Sequence, residues 1–171
     1  MNLFVKTAVK KLECNLMVLA DTLKKNNILV GANFKEPAAL FGELLNLAVK
    51  NGEIQPDDLK TIRSALITRE KSMTTGIGHG LAIPHCVSPK IKKPLIMLAT
   101  ISGGMDFTAI DDKPVYVAVL LVFPEDKMSA HVKLLANIAQ MMSKSEFMEK
   151  LISLKSSSGI LKAIKNYKHG E

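Results

Sequence analysis

Arg69, His85 and His131 are the residues of this sequence best suited to chemistry, and the chemistry they suit is the handling of a phosphoryl group. His85 closes the run Thr75-Gly76-Ile77-Gly78-His79-Gly80-Leu81-Ala82-Ile83-Pro84-His85. Arg69 precedes that run, and His131 opens the segment His131-Val132-Lys133-Leu134-Leu135-Ala136. A neutral imidazole nitrogen is a good nucleophile near pH 7 and a good leaving group afterwards, so no separate base is required. The transition state of phosphoryl transfer is largely metaphosphate-like, which leaves the site to align the partners and to neutralise charge on the transferring oxygens. Arg69 offers a fixed fork of donors for those oxygens, and His131 offers one more hydrogen bond. Gly76, Gly78 and Gly80, with Thr75, are expected to form a supporting loop whose backbone N–H groups approach the same oxygens. Pro84 stiffens the approach to His85.

Each of these residues also has a plainer reading. Gly-x-Gly-x-Gly alone is a turn signal, His131 alone is a histidine at a helix start, and Arg69-Glu70 alone is a surface ion pair worth about 0–1 kcal/mol. Two other chemistries compete. His79, His85 and His131 are enough ligands for a catalytic zinc, although no His-Glu-x-x-His pair accompanies them and glycines would hold two of the three loosely. Cys86 beside His85 invites a cysteine–histidine nucleophile, but neighbours in an extended segment point to opposite faces, and Cys86 is expected to pack as a small residue.

The elements that would position these groups can be read from periodicity. At 171 residues the chain is expected to be one domain with its own core. The net charge of +7 comes from the ends: residues 31–143 hold 12 basic and 11 acidic side chains, and the sequence has no tryptophan. A nucleic-acid-binding face is therefore not expected. The longest apolar run, Val115 to Phe123, is far short of the roughly 20 residues a membrane helix needs. The N-terminus lacks the pattern of a secretory signal, and Cys14 and Cys86 do not form a disulfide framework. A cytoplasmic protein is expected.

Leu3 to Lys25 carries an apolar stripe of Val5, Val9, Leu12, Leu16, Leu19 and Leu23, an amphipathic helix pattern. Ile28-Leu29-Val30 is short enough for an edge strand. Helices are expected from Glu36-Pro37 to Asn51-Gly52, from Pro56 toward Arg69, over Ser129 to Met142, over Glu146 to Leu154 and over Ile160 to Tyr167, the last two separated by Ser156-Ser157-Ser158-Gly159. Leu95 to Ile101 and Val115 to Phe123 are continuous apolar runs that suit strands covered on both faces. Gly103-Gly104 and Asp111-Asp112 mark turns. The order of elements implies an α/β fold, a single three-layer α/β/α domain.

Six segments together, Arg69-Glu70, Thr75-Gly76-Ile77-Gly78, Gly80-Leu81-Ala82-Ile83-Pro84-His85, Gly104-Met105-Asp106-Phe107, Ala109-Ile110-Asp111-Asp112-Lys113-Pro114-Val115 and His131-Val132-Lys133-Leu134-Leu135-Ala136, resemble the type 2 enzyme IIA domain of the bacterial phosphoenolpyruvate:sugar phosphotransferase system. This is the fructose/mannitol family, which includes the nitrogen-regulatory IIA proteins. The resemblance implies a domain over residues 19–171 preceded by an N-terminal amphipathic extension, 1–18. It implies a mixed sheet flanked by helices, phosphorylation of His85 by HPr or its nitrogen-branch paralogue, and a site lined by Arg69 and His131. Neither a metal nor an organic cofactor is implied. Some members pass the phosphoryl group to a IIB domain for sugar uptake, while others regulate targets by their phosphorylation state. The length leaves no room for a IIB or membrane IIC domain, so a stand-alone regulatory role is expected; a separate IIB partner and a non-catalytic binding module are the alternatives. Four features depart from the family pattern: His79 is atypical at its glycine-loop position, the first 18 or so residues have no clear counterpart, and two more lie at or just beyond His85. Cys86 stands where a small residue, commonly glycine, follows the active histidine, and Lys90, Lys92 and Lys93 lie where an acidic docking surface is usual.

Overall fold

The computed structural model describes residues 19–125 and 128–167. Most of the N-terminal stripe, including Val5, Val9, Leu12 and Leu16, lies outside the described residues. Its end, residues 19–22, is helical, and Leu19 and Leu23 are buried.

Among the described residues, six strands form one mixed sheet: β1 (Ile28–Ala32), β2 (Gly76–Gly78), β3 (Leu81–Ala82), β4 (His85–Val87), β5 (Leu95–Met105) and β6 (Val115–Phe123). The order is β1-β5-β6-β3-β2, and β4 also pairs with β6. β5 runs antiparallel to β6, while β1 is parallel to β5, and β3 and β4 are parallel to β6. The two long apolar runs are thus the central strands. Val117 to Val122 in β6 are wholly inaccessible to solvent, each Val or Leu among them contributing about 1.5–3 kcal/mol of burial.

Strand alternation divides the core in two. Met97, Ala99, Ile101, Ala118, Leu120 and Val122 face α1 (Pro37–Lys50) and α2 (Leu59–Ser72), where Leu40, Phe41, Leu44, Ile62 and Leu66 meet them. Ile96, Leu98, Val117, Val119, Leu121 and Phe123 face the other way, toward α3 (Met128–Met142), α4 (Ser145–Ser153) and α5 (Ser157–Lys165). Leu134, Ile138, Phe147, Leu151, Ile160 and Ile164 close that side. The result is the expected three-layer α/β/α domain.

Three details differ from the periodicity reading. The glycine-rich run contains three short strands, β2, β3 and β4, which are too brief to show a period. β5 continues past Ile101 to Met105, with Gly103 and Gly104 at φ +76° and +78° forming an irregularity in the pairing rather than a chain reversal. α5 starts at Ser157 because Ser156 caps it: Gly159 N–H donates to Ser156 Oγ at 3.1 Å. The serine segment expected to separate two helices is the first turn of the second.

Candidate functional site

α2 packs beside β4, and the turn leaving α2 starts the hairpin that ends in His85. Arg69 and Glu70 shape this turn separately. Arg69 donates from Nη1 to Met73 O at 2.8 Å, while Glu70 accepts Thr75 N–H on Oε1 at 2.9 Å and the Thr75 hydroxyl on Oε2. Glu70 is therefore engaged with Thr75 rather than in a surface ion pair with Arg69. Thr75 is buried, and its carbonyl accepts the Ile83 N–H at 2.9 Å. Pro84 has no N–H, but its carbonyl accepts Leu121 N–H at 2.8 Å, and β4 then runs in register with β6: His85 opposite Leu121, Cys86 opposite Val122, Val87 opposite Phe123.

Alternation along β4 buries Cys86 in the α1–α2 core and turns His85 toward the opposite face, the face covered by α3. Burial pushes the Cys86 thiol up to about 12, so it carries almost no thiolate at neutral pH. His85 is half-buried, and its Nδ1 lies 2.8 Å from Ile83 O. A carbonyl only accepts, so the proton sits on Nδ1 and the lone pair is left on Nε2. Of the two ring nitrogens, Nε2 is thereby the one with an uncommitted lone pair.

His131, in the first turns of α3, is 6% exposed. Its ring stacks on Phe123 with centroids 3.8 Å apart and planes at 29°. A hydrogen bond ties it to the backbone of Pro124, which has only a carbonyl to offer. Nε2 of His131 is buried without a partner, so Nδ1–H makes that bond. Burial first, and then the charge of His85, hold the His131 pKa below the ordinary histidine value, outweighing the upward pull of the Pro124 carbonyl. The influence of the His85 charge on His131 marks the two imidazoles as neighbours.

Gly78 and Gly80 sit elsewhere. Gly76 pairs with Ala82 and Gly78 with Leu81, and Gly78, His79 and Gly80 turn the hairpin at φ +88°, +55° and +75°. Gly80 O accepts both Tyr116 N–H and Val117 N–H, at 2.7 and 3.0 Å. The hairpin tip therefore lies level with Tyr116 on β6, whereas His85 lies level with Leu121, five residues or about 17 Å along the strand. Gly76 is closer to His85, but its N–H donates to Thr74 Oγ1 at 3.0 Å. Its lack of a side chain serves packing, since an added Cβ would lie 2.8 Å from Ala109 Cβ. The glycines shape the hairpin that delivers His85, and their N–H groups are not arrayed around its ring.

His79 also belongs to the tip: it is exposed, and its N–H donates to Asp111 Oδ2 at 3.0 Å. That bond is the main cause holding the Asp111 carboxyl below its ordinary range. The three histidines do not converge, and among the described residues no three His, Cys, Asp or Glu side chains form a metal-holding group. No described helix is long and apolar enough to cross a membrane. Glu70 was visible in the sequence only as a partner for Arg69, and its bonds to Thr75, the Ile83 and Pro124 carbonyls and the Phe123 ring were not. Phe123-Pro124 left a faint signal, as an aromatic and a proline ending the apolar run upstream of His131.

The fold and site define a class: an α/β domain with a half-buried imidazole, its Nδ1 held by a backbone carbonyl, and a buried second imidazole beside it. The family model for the phosphoenolpyruvate-dependent sugar phosphotransferase system, EIIA 2, matches residues 21–167, and the chain belongs to that family. It is 34% identical over 122 residues to a PTS system fructose-specific EIIA component of Haloferax volcanii, covering 71% of this chain and 77% of that protein. It is 35% identical over 108 residues to a nitrogen regulatory protein of Bradyrhizobium diazoefficiens, covering 63% and 71%. It spans only 24% of the Bacillus subtilis fructose-specific EIIABC component, at 24% identity over 151 residues covering 88% of this chain. In fold it is similar to the nitrogen regulatory protein IIA-Ntr of Neisseria meningitidis, with a TM-score of 0.77 and 24% identity, covering 86% of this chain and 99% of that one.

Proposed function

We propose that this protein is a cytoplasmic phosphocarrier whose His85 Nε2 accepts a phosphoryl group from phosphorylated HPr or its nitrogen-branch paralogue, and whose phosphorylation state regulates a partner. The observation that carries the reading is the Nδ1–H bond of His85 to Ile83 O, which presents a free Nε2 lone pair at a half-buried edge. His131 supports the phosphoryl group from α3. Arg69 supports it from the end of α2, where its guanidinium retains donors beyond the one used on Met73 O. Thr75, Gly76, Gly78 and Gly80 serve indirectly, by fixing the hairpin.

Supply of a separate IIB protein for sugar uptake is the second reading. It is favoured by the fructose-specific relative and by a structural neighbour solved as a complex of enzyme IIA mannitol with phosphorylated enzyme IIB mannitol from Escherichia coli, with a TM-score of 0.70, 17% identity and coverage of 85% of this chain and 98% of that one. Incubation with phosphoenolpyruvate, enzyme I and HPr, followed by intact-mass measurement, tests the common core of both readings. One added phosphoryl group that disappears in His85→Ala is expected; undiminished labelling of that variant would place the acceptor elsewhere.

A further inference from the structure

His131 poses a problem for its supporting role. Its one protected proton, on Nδ1, is committed to the Pro124 carbonyl, and its Nε2 is buried without a partner. In the neutral ring that nitrogen is an acceptor, and a phosphoryl oxygen is also an acceptor. Moving the proton to Nε2 would strip the buried Pro124 carbonyl of its donor, a loss comparable to leaving any buried acceptor unpaired. The stack against Phe123 fixes the ring plane, so the orphan nitrogen is not relieved by rotation into solvent.

We propose that phosphorylation of His85 is coupled to uptake of a proton by His131, which converts its Nε2 from an idle acceptor into a charged donor to the phosphoryl oxygens. This rests on the reading of His85 as the phosphoryl acceptor. In the transfer step the His85 Nε2 lone pair forms the N–P bond, the bond from phosphorus to the donor's nitrogen breaks, and its electron pair leaves with the donor. His85 keeps its Nδ1 proton on Ile83 O. The arriving group carries about −1.5 to −2 charges near neutral pH, and the proton that joins His131 comes from solvent. Among the described residues, His85 on β4 is the titratable group whose charge, when it is protonated, acts on the His131 ring. The Phe123 face and the Pro124 carbonyl supplied from β6 do not titrate. Before transfer a charge on His85 repels the proton; afterwards the phosphoryl group in the same place attracts it. An opposite charge at contact range raises such a pKa by about 1–3 units.

The test is an NMR titration of ring-labelled histidine in the unphosphorylated and phosphorylated protein, with phosphoryl occupancy read by intact mass. Proton uptake during transfer near pH 7 is measured in parallel for wild type and His131→Gln. The His131 midpoint should rise by about 1–3 units on phosphorylation. His131→Gln, whose amide donates without a proton, should still be labelled but take up less proton than wild type. A phosphorylated protein in which His131 stays neutral, or equal proton uptake in the two proteins, overturns the coupling while leaving the phosphocarrier reading intact. No mass gain at all overturns both.

Discussion

The two ends of one hairpin, both docked on β6, carry the same kind of residue to different effect. At the tip, His79 is exposed at φ +55° between two glycines, and its backbone is what the fold uses, through Asp111. At the base, His85 sits in regular strand pairing with its ring held by Ile83 O and a second imidazole nearby. What sets His85 apart as the proposed acceptor is the pair of groups that fix its proton and carry charge beside it. Proximity to glycines in sequence is not enough.

The sharpest way to break this contrast is to remove each imidazole in turn. His85→Ala should abolish phosphoryl labelling, whereas His79→Ala should transfer at close to the wild-type rate. A large loss in the His79 variant would show that the tip takes part. Next in size, Arg69→Ala and His131→Ala should each slow transfer by on the order of 100–1000-fold, the usual loss for one preorganised donor to developing charge. Single-turnover rates that match wild type in both would remove their assigned roles.

Much of this geometry was legible in advance and some was not. The central strands β5 and β6 announced themselves as apolar runs, and the helices by their period, because burial on one or both faces imposes those patterns. The candidate site residues Arg69, His85 and His131 were visible as types in an ordered series of segments. Strands of two or three residues have no readable period, so β2, β3 and β4 were hidden, and with them the 17 Å or so between hairpin tip and base that follows from about 3.4 Å per residue. The contacts that set proton positions are to backbone carbonyls of Ile83 and Pro124, and a carbonyl leaves no trace in residue identity.

Stability measurements sharpen the contrast on a smaller scale. Gly76→Ala forces a methyl against Ala109 and should cost about 1–3 kcal/mol as overpacking does. Gly78→Asn at the tip should cost less, since Asn adopts left-handed backbone readily; denaturant midpoints of the two variants decide this. His131 adds an acid sensitivity. Its folded pKa is depressed, so the unfolded chain binds the proton more readily, and stability present above about pH 6.5 should decline as pH falls below that value. His131→Gln should flatten that part of the stability–pH curve. The smallest effect concerns charge beyond the site: Lys90 pairs with Asp58 at 3.5 Å, while Lys92 and Lys93 are exposed. Charge reversal of Lys92 and Lys93 should alter the salt dependence of the transfer rate from HPr, and an unchanged slope would place them off the docking surface.

The most direct measurement is the assignment of the phosphorylated nitrogen by NMR after transfer from phosphorylated HPr. With Nδ1–H of His85 held on Ile83 O, the phosphorus should be bonded to Nε2 of His85. Phosphorus on Nδ1 of that ring, or on any other residue, would contradict the site as built.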